Sequence, residues 1–273
     1  MSGCTCGHHH HHHDHPHQHA AEGVELALEP PLVALSGHLI CADMDQMLLA
    51  LDLLPDHVSL SRAEPGNLRF DLSQTEDPMV WRLDELFADA EAFAAHQTRM
   101  AASAWGERSR DIARAFDRIN VLPRIRPEHP REGAAISALL RRAFDGEDEA
   151  RLVENLRDHD DLALSLVADV AGTIIGHVAM SPLGAEGPAF ALAPVAVHPA
   201  LQGRGIGGAL VRAAIATAPE HSIVVLGDPA YYRRFGFAPV DLASPYAGPH
   251  LMARGPALPA GSTITHARAF SGL

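Results

Sequence analysis

Residues 203–208 read Gly-Arg-Gly-Ile-Gly-Gly, four glycines in six positions, and no other stretch narrows the fold so far. Ahead of them, Ala189 to Val197 is an apolar run of strand length that carries Pro194, where an unbroken ladder is disfavoured. Behind them, Ile206, Leu210, Val211, Ala214 and Ile215 trace one face of a helix, and Ile223 to Leu226 supplies the next strand. A glycine turn between strand and helix lets the backbone approach a ligand, and the amides that open the helix meet a phosphate with the positive end of its dipole. A Walker loop is excluded, because no Gly-Lys-Ser/Thr follows to hold the β- and γ-phosphates. The dinucleotide pattern G-x-G-x-x-G is satisfied, with Asp228 where a ribose-binding acid belongs. Against it, residues 198–202 separate the strand from the first glycine, and the chain beyond is too short for repeated β-α units.

Composition sets the frame. A chain of 273 residues, 47% hydrophobic, can bury two cores. A net charge of −13 without a Lys/Arg cluster argues against a nucleic-acid partner and favours a cationic one. The most apolar stretch, Leu162 to Met180, is interrupted by Asp169, Gly172 and His177, so it reads as two strands and a turn, and no membrane contact is expected. With no basic-then-apolar leader and three cysteines, a cytoplasmic location is the expectation.

Residues 1–30 read as a disordered tail. Cys4, Cys6 and nine histidines between His8 and His19 accompany no apolar anchor. Six in a row, His8, His9, His10, His11, His12 and His13, have the length of a purification tag, but the flanking Cys-x-Cys and Asp-His-Pro-His-Gln-His favour native origin. Thiolates and imidazoles at this density would take up Zn, Ni or Cu without fixed geometry. No metal is expected in the folded domains.

In residues 33–118, Val33 to Cys41 reads as a strand, Ala42 to Leu54 as a helix stopped by Pro55, and Val58 to Arg62 as a short strand before a Glu64-Pro65-Gly66 turn. Leu68, Phe70 and Leu72 alternate; Trp81, Leu83 and Glu85 share one face of the next strand. Asp89 caps a helix whose apolar face runs from Ala90 through Phe93, Gln97 and Met100 to Trp105, with His96 near its edge. The order is β-α-β-β-β-α. The run "SRAEPGNLRFDLSQTEDPMVWRLDELFADAEAFAAHQTRMAASAW" resembles the antibiotic-biosynthesis-monooxygenase (ABM) family. That resemblance implies a ferredoxin-like α+β barrel, a homodimer formed through its sheet, and, in some members, oxygenation of quinols without a cofactor. Glu85 or His96, facing an apolar barrel, would then take a proton from a phenolic substrate.

Residues 121–273 hold the glycine turn. A strand leads into a helix with Ile136, Leu139, Leu140 and Phe144 on one face, a second helix covers Glu149 to Asp158, and strands follow at Leu162 to Ala168 and Thr173 to Met180. "LAPVAVHP", then Gln202-Gly203-Arg204-Gly205-Ile206-Gly207, then "VLGDPAYYRRFGFAP" together resemble the GNAT family of N-acetyltransferases, in the wording of its YhbS-like branch. The resemblance implies an α/β acyl-CoA N-acyltransferase fold with acetyl-CoA as cosubstrate and a small-molecule or peptide amine as acceptor. Gln202, Gly203, Arg204, Gly205, Ile206, Gly207 and Gly208 would cradle the pyrophosphate, and Val195, Ala196 and Val197 would run along the pantetheine, with Asp228 near the ligand. Tyr232, or less aptly Tyr231, would protonate the departing thiolate. No general base is named. The expected whole is a two-domain α+β protein, an ABM barrel followed by an acetyltransferase. The alternative is a non-catalytic sensor with CoA- and quinone-like pockets.

Overall fold

The computed structural model describes residues 23–272, so the histidine-rich segment and its metal reading lie outside it. The expected tail is shorter than residues 1–30, since β1 (Val24–Glu25) pairs with Ile125 and Arg124, and Leu28 is buried.

The N-terminal domain contains β2 (Leu32–Ile40), α1 (Met44–Arg62), β3 (Asn67–Gln74), β4 (Val80–Phe87), α2 (Ala90–Ala101), α3 (Ala104–Arg108) and β5 (Ala113–Val121). Its antiparallel sheet has the order β3-β4-β2-β5. Two expectations are corrected. The strand at Val58 to Arg62 is helix, because α1 runs through Pro55. Ala50, Leu54, His57 and Ser61 form one buried stripe across that point, and its packing outweighs the loss of one backbone bond. The last strand is β5, which the sequence reading lacked. It pairs with β2 along its whole length, from Leu32↔Val121 to Ile40↔Ala113, although most of its side chains are exposed. The order is therefore β-α-β-β-α-α-β.

The C-terminal domain is built on β6 (Arg124–Pro127), α4 (Gly133–Phe144), α5 (Asp148–Asp158), β7 (Leu164–Val170), β8 (Thr173–Pro182), β9 (Ala189–Val197), α6 (Ile206–Ala216), β10 (Ser222–Leu226), α7 (Pro229–Tyr232), β11 (Ala238–Pro239) and β12 (Leu251–Arg254). The sheet runs β1-β6-β7-β8-β9-β10-β12-β11, with β9 and β10 parallel and every other pair antiparallel. Helices α4 and α5 pack on one face and α6 on the other. Phe144, expected on the buried face of α4, is exposed.

Two features of β9 matter for function. Its register against β8 shifts between Val178↔Val195 and Met180↔Leu192, so Ala193 and Pro194 bulge. On its other side it pairs with β10 only at Ala189, Phe190 and Ala191. Beyond that point the strands part, and the backbone from Leu192 to Val197 has a free edge.

The domains share a core. Leu32, Ala34, Leu86 and Ala88 of the barrel sit in one cluster with Leu166, Leu201, Ile206 and Leu210. That end of the outer sheet face, where the ABM resemblance expects a second copy, is thus covered by the C-terminal domain; the remainder carries Ser36, His38 and Arg82 together with the exposed Ile40 and Ile119. Among the described residues no helix is long and apolar enough to cross a membrane.

Candidate functional site

Gly205 is the N-cap of α6 at φ +89°, a left-handed conformation that side chains disfavour, and no side chain caps the helix. The first backbone bond of the turn runs from Ala209 N–H to Gly205 C=O, which leaves the amides of Ile206, Gly207 and Gly208 without an intrahelical acceptor. They open on a cleft of about 450 Å³ lined by Val195, Val197, Gln202, Gly203, Gly205 to Gly208, Arg212, Tyr231, Tyr232, Arg234 and Phe235. The Gln202 side chain donates to Val197 C=O at 3.2 Å, tying the glycine turn to the free end of β9.

Most residues expected here are brought together, with three exceptions. Asp228 is not at the cleft; its carboxylate accepts from Ala230 N–H at 2.8 Å and caps α7. Arg204 turns away from the cleft, and its guanidinium donates to Ala88 C=O at 2.8 Å and to Pro30 C=O. Ala196 points its side chain into the core beneath α4, so only its backbone lies along β9. Arg204 is thus a clamp between the turn and the N-terminal domain. Arg204→Ala is expected to cost about 2 kcal/mol, the loss of charge-assisted bonds to carbonyls, read as a lower urea midpoint. An unchanged midpoint would discard the clamp.

Arg212 and Arg234 are cleft residues that the sequence reading missed. Arg212 lies one helical turn beyond Gly208, a spacing that could have revealed it, and a Cβ on Gly208 would come within 3.6 Å of its guanidinium. Arg234 stacks at 4.1 Å over the Tyr231 ring. Tyr232 borders this cleft and also a second cavity on the α4/α5 side, so it sits between the two. Burial pushes its hydroxyl up to about 12, which keeps it protonated at neutral pH, and burial also raises Tyr231. His198, read as a strand terminator, accepts from Ala200 N–H at 3.3 Å, and burial holds it down at about 4.

The barrel holds a second cluster. Its cavity of about 100 Å³ is lined by His57, Phe70, Glu85, His96, Trp105 and Phe116, among others. His96, expected near the edge of the apolar face of α2, is its buried residue. Its Nδ1 lies 2.9 Å from a Glu64 oxygen, so Nδ1 carries the proton and Nε2 turns its lone pair toward Glu85 at 3.8 Å. Arg99 donates to Glu64 at 2.8 Å and to Ser61 at 2.8 Å. Glu64 is therefore more than part of a turn. Gly66 serves close approach and not backbone freedom, since a Cβ there would meet Ala92 at 2.4 Å. Burial first, then the Glu64 charge, pushes Glu85 up to about 8, and burial pushes His57 down to about 3 and lowers His96. Glu85 is thereby held mostly protonated at neutral pH, which favours it as a hydrogen-bond donor over the proton acceptor that the sequence allowed.

The sequence pattern of the acetyltransferase (GNAT) family matches residues 133–237. Over 120 residues the chain is 42% identical to an uncharacterized N-acetyltransferase of Escherichia coli K12, YhbS, across 41% of this chain and 72% of that protein. The chain belongs to the GNAT family. The crystal structure of E. coli YhbS in complex with CoA shares 31% identity with it, covers 56% of this chain and 94% of YhbS, and superposes with a TM-score of 0.52. A GNAT acetyltransferase from Brucella melitensis, solved with acetyl-CoA, shares 37% identity over 54% of this chain and 97% of its own, at a TM-score of 0.47. Ahead of the GNAT domain, the antibiotic biosynthesis monooxygenase pattern matches residues 45–108.

Proposed function

We propose that the GNAT domain transfers an acetyl group from acetyl-CoA to an amine by direct attack of nitrogen on the thioester carbonyl. The observation that carries this reading is the uncapped first turn of α6 facing a cleft beside the unpaired edge of β9. The amides of Ile206, Gly207 and Gly208 fit a pyrophosphate, with Arg212 and Arg234 adding positive charge. The free edge of β9 at Val195 and Val197 offers backbone partners to the amides of the pantetheine arm. CoA in the related YhbS structure supports the same cosubstrate here.

Tyr232 is the acid in this reading. Its protonated hydroxyl, between the cleft and the second cavity, supplies a proton to the thiolate as the C–S bond breaks. Tyr232→Phe is expected to lower kcat by about 10²-fold and leave the KM for acetyl-CoA within about twofold. Thiol release followed with a chromogenic disulfide measures both, and an unchanged kcat would remove Tyr232 from the role.

For the barrel, the orientation of His96 Nε2 toward the cavity supports a phenol site with His96 as proton acceptor and Glu85 as hydrogen-bond donor, one whose cavity of about 100 Å³ must widen to admit the ring, since benzene occupies a cavity of about 150 Å³. Oxygen uptake by the full chain with simple hydroquinones tests whether binding leads to oxidation. No uptake would leave a ligand-sensing module.

A further inference from the structure

A second cavity, of about 260 Å³, opens where β9 and β10 part, on the α4/α5 side of the sheet. Phe144, Leu152, Leu192, Leu226 and Phe270 give it apolar walls. Its titratable groups are Glu149 from α5, Tyr232 from α7, and Tyr246 and His266 from the C-terminal segment. Each is in a different condition. Tyr232 is the acid assigned above, and the Tyr246 hydroxyl is committed to Phe270 C=O at 3.1 Å. Glu149 enters no ion pair among the described residues. Both ring nitrogens of His266 are buried without a hydrogen-bond partner.

That last observation needs an explanation, because a buried imidazole whose donor and acceptor are both unmet costs about 1–3 kcal/mol for each. The ring is held in place nevertheless. Thr265 exchanges two 2.8 Å backbone bonds with Gly184, and the rings of Tyr246 and Phe270 pack against His266 at 5.2 and 5.0 Å between centroids. Burial lowers its pKa below the ordinary imidazole value, so it is a free base at neutral pH.

We propose that this cavity takes the acyl acceptor as a primary amine bearing an aromatic or branched aliphatic group, and that His266 is the base for that amine. The proposal rests on the acetyl-transfer reading of the glycine cleft. The volume suits one ring and a short arm, since a cavity of about 150 Å³ already holds benzene. The apolar walls take the hydrophobic part, and the Glu149 carboxylate offsets the ammonium charge. Val195 and Tyr232 line both cavities, which brings the amine to the same point on β9 as the thioester. His266 takes one proton from the ammonium and gives it up to water after the product has left. The freed lone pair forms the C–N bond, the C–S pair leaves on sulfur, and sulfur takes the Tyr232 proton. The second proton shed by nitrogen restores Tyr232, so one proton is released per turnover.

The test uses the full chain, with acetyl-CoA titrated calorimetrically and then 2-phenylethylamine compared with ethanolamine in the thiol-release assay. The expected kcat/KM is at least about 10-fold higher for 2-phenylethylamine, the yield of burying its ring. Leu226→Arg, at a position 54% exposed and therefore safe for folding, should reduce that preference to about onefold without changing acetyl-CoA affinity. His266→Gln, with His266→Asn as a second variant, should lower kcat by about 10²-fold. It should also abolish the fall in kcat on acidification that the wild type shows as His266 protonates, a change that a purely structural histidine would not cause. Equal or better use of ethanolamine, or no effect of Leu226→Arg, overturns the amine class. Retention of the acidic fall in both histidine variants overturns the base. Failure of acetyl-CoA to bind overturns the transfer reading itself, and the first titration alone reads that outcome.

Discussion

Gly207→Asp is expected to raise the Kd for acetyl-CoA at least about 10²-fold and leave the fold intact. A Cβ at this position would lie 3.0 Å from the Tyr231 hydroxyl, 3.3 Å from Val197 Cγ2 and 4.0 Å from Val195 Cγ1, all cleft residues, so the new carboxylate enters the cleft. The 3.0 Å neighbour is the tip of a side chain that can yield. Two opposing electrostatic effects then separate binding from stability. For the helix, an acid in an uncapped first turn is favourable by about 0.3–1 kcal/mol. For a pyrophosphate at the same amides, one added negative charge about 4 Å away costs on the order of 4 kcal/mol at an effective dielectric near 20, equivalent to roughly 10²–10³-fold in affinity. Calorimetric titration and a thermal melt read the two effects independently, and Gly207→Ala separates bulk from charge. A Kd within about fivefold of wild type would mean that the phosphates do not rest on this turn.

The features legible in the sequence were local ones. Gly203 to Gly208 and the Pro194 break in β9 each declare their conformation within a few residues. What escaped depends on partners far along the chain. Strand β5 has exposed side chains and no usable alternation, and its existence rests on backbone pairing with β2, some 80 residues earlier. Pro55 reads as a stop until the stripe from Ala50 to Ser61 finds the sheet. Arg204 reads as a phosphate ligand because it sits between two glycines, yet the carbonyls that claim it belong to Pro30 and Ala88. His96 looked peripheral on its helix because its periodicity counts apolar residues, whereas Glu64 and Arg99 make a polar residue acceptable in the interior. His266 lies in a segment without periodicity, and only the cavity wall gives it meaning.

Glu85→Gln is expected to remove most of the alkaline loss of stability of this protein. In the wild type the buried Glu85 carboxyl titrates at about 8 when folded, against an ordinary value of 4.5. Between those values the folded state retains a proton that the unfolded state has released, so stability falls as pH rises through this window and levels off above about 8. The full penalty is on the order of 5 kcal/mol, an upper figure for a group whose Oε2 has no partner in the interior. The histidines act with opposite sign. His57 and His177 at about 3 and His198 at about 4 are held neutral by burial, so below 6.5 the unfolded chain takes up protons that the folded chain refuses, and stability falls as pH falls. Where the windows overlap, three histidines outweigh one carboxyl, which places the wild-type maximum near the ordinary imidazole pKa. A glutamine mimics the neutral acid in size and charge. The variant should therefore match the wild type below about pH 4.5, rise more steeply than the wild type from there to about 6.5, and lose the decline from about pH 6.5 to 8. Above that range it should exceed the wild type by several kcal/mol in urea unfolding at matched salt. Parallel pH profiles for the two proteins would mean that Glu85 is already ionised in the fold, and the barrel would then hold a carboxylate beside His96 in place of a hydrogen-bond donor.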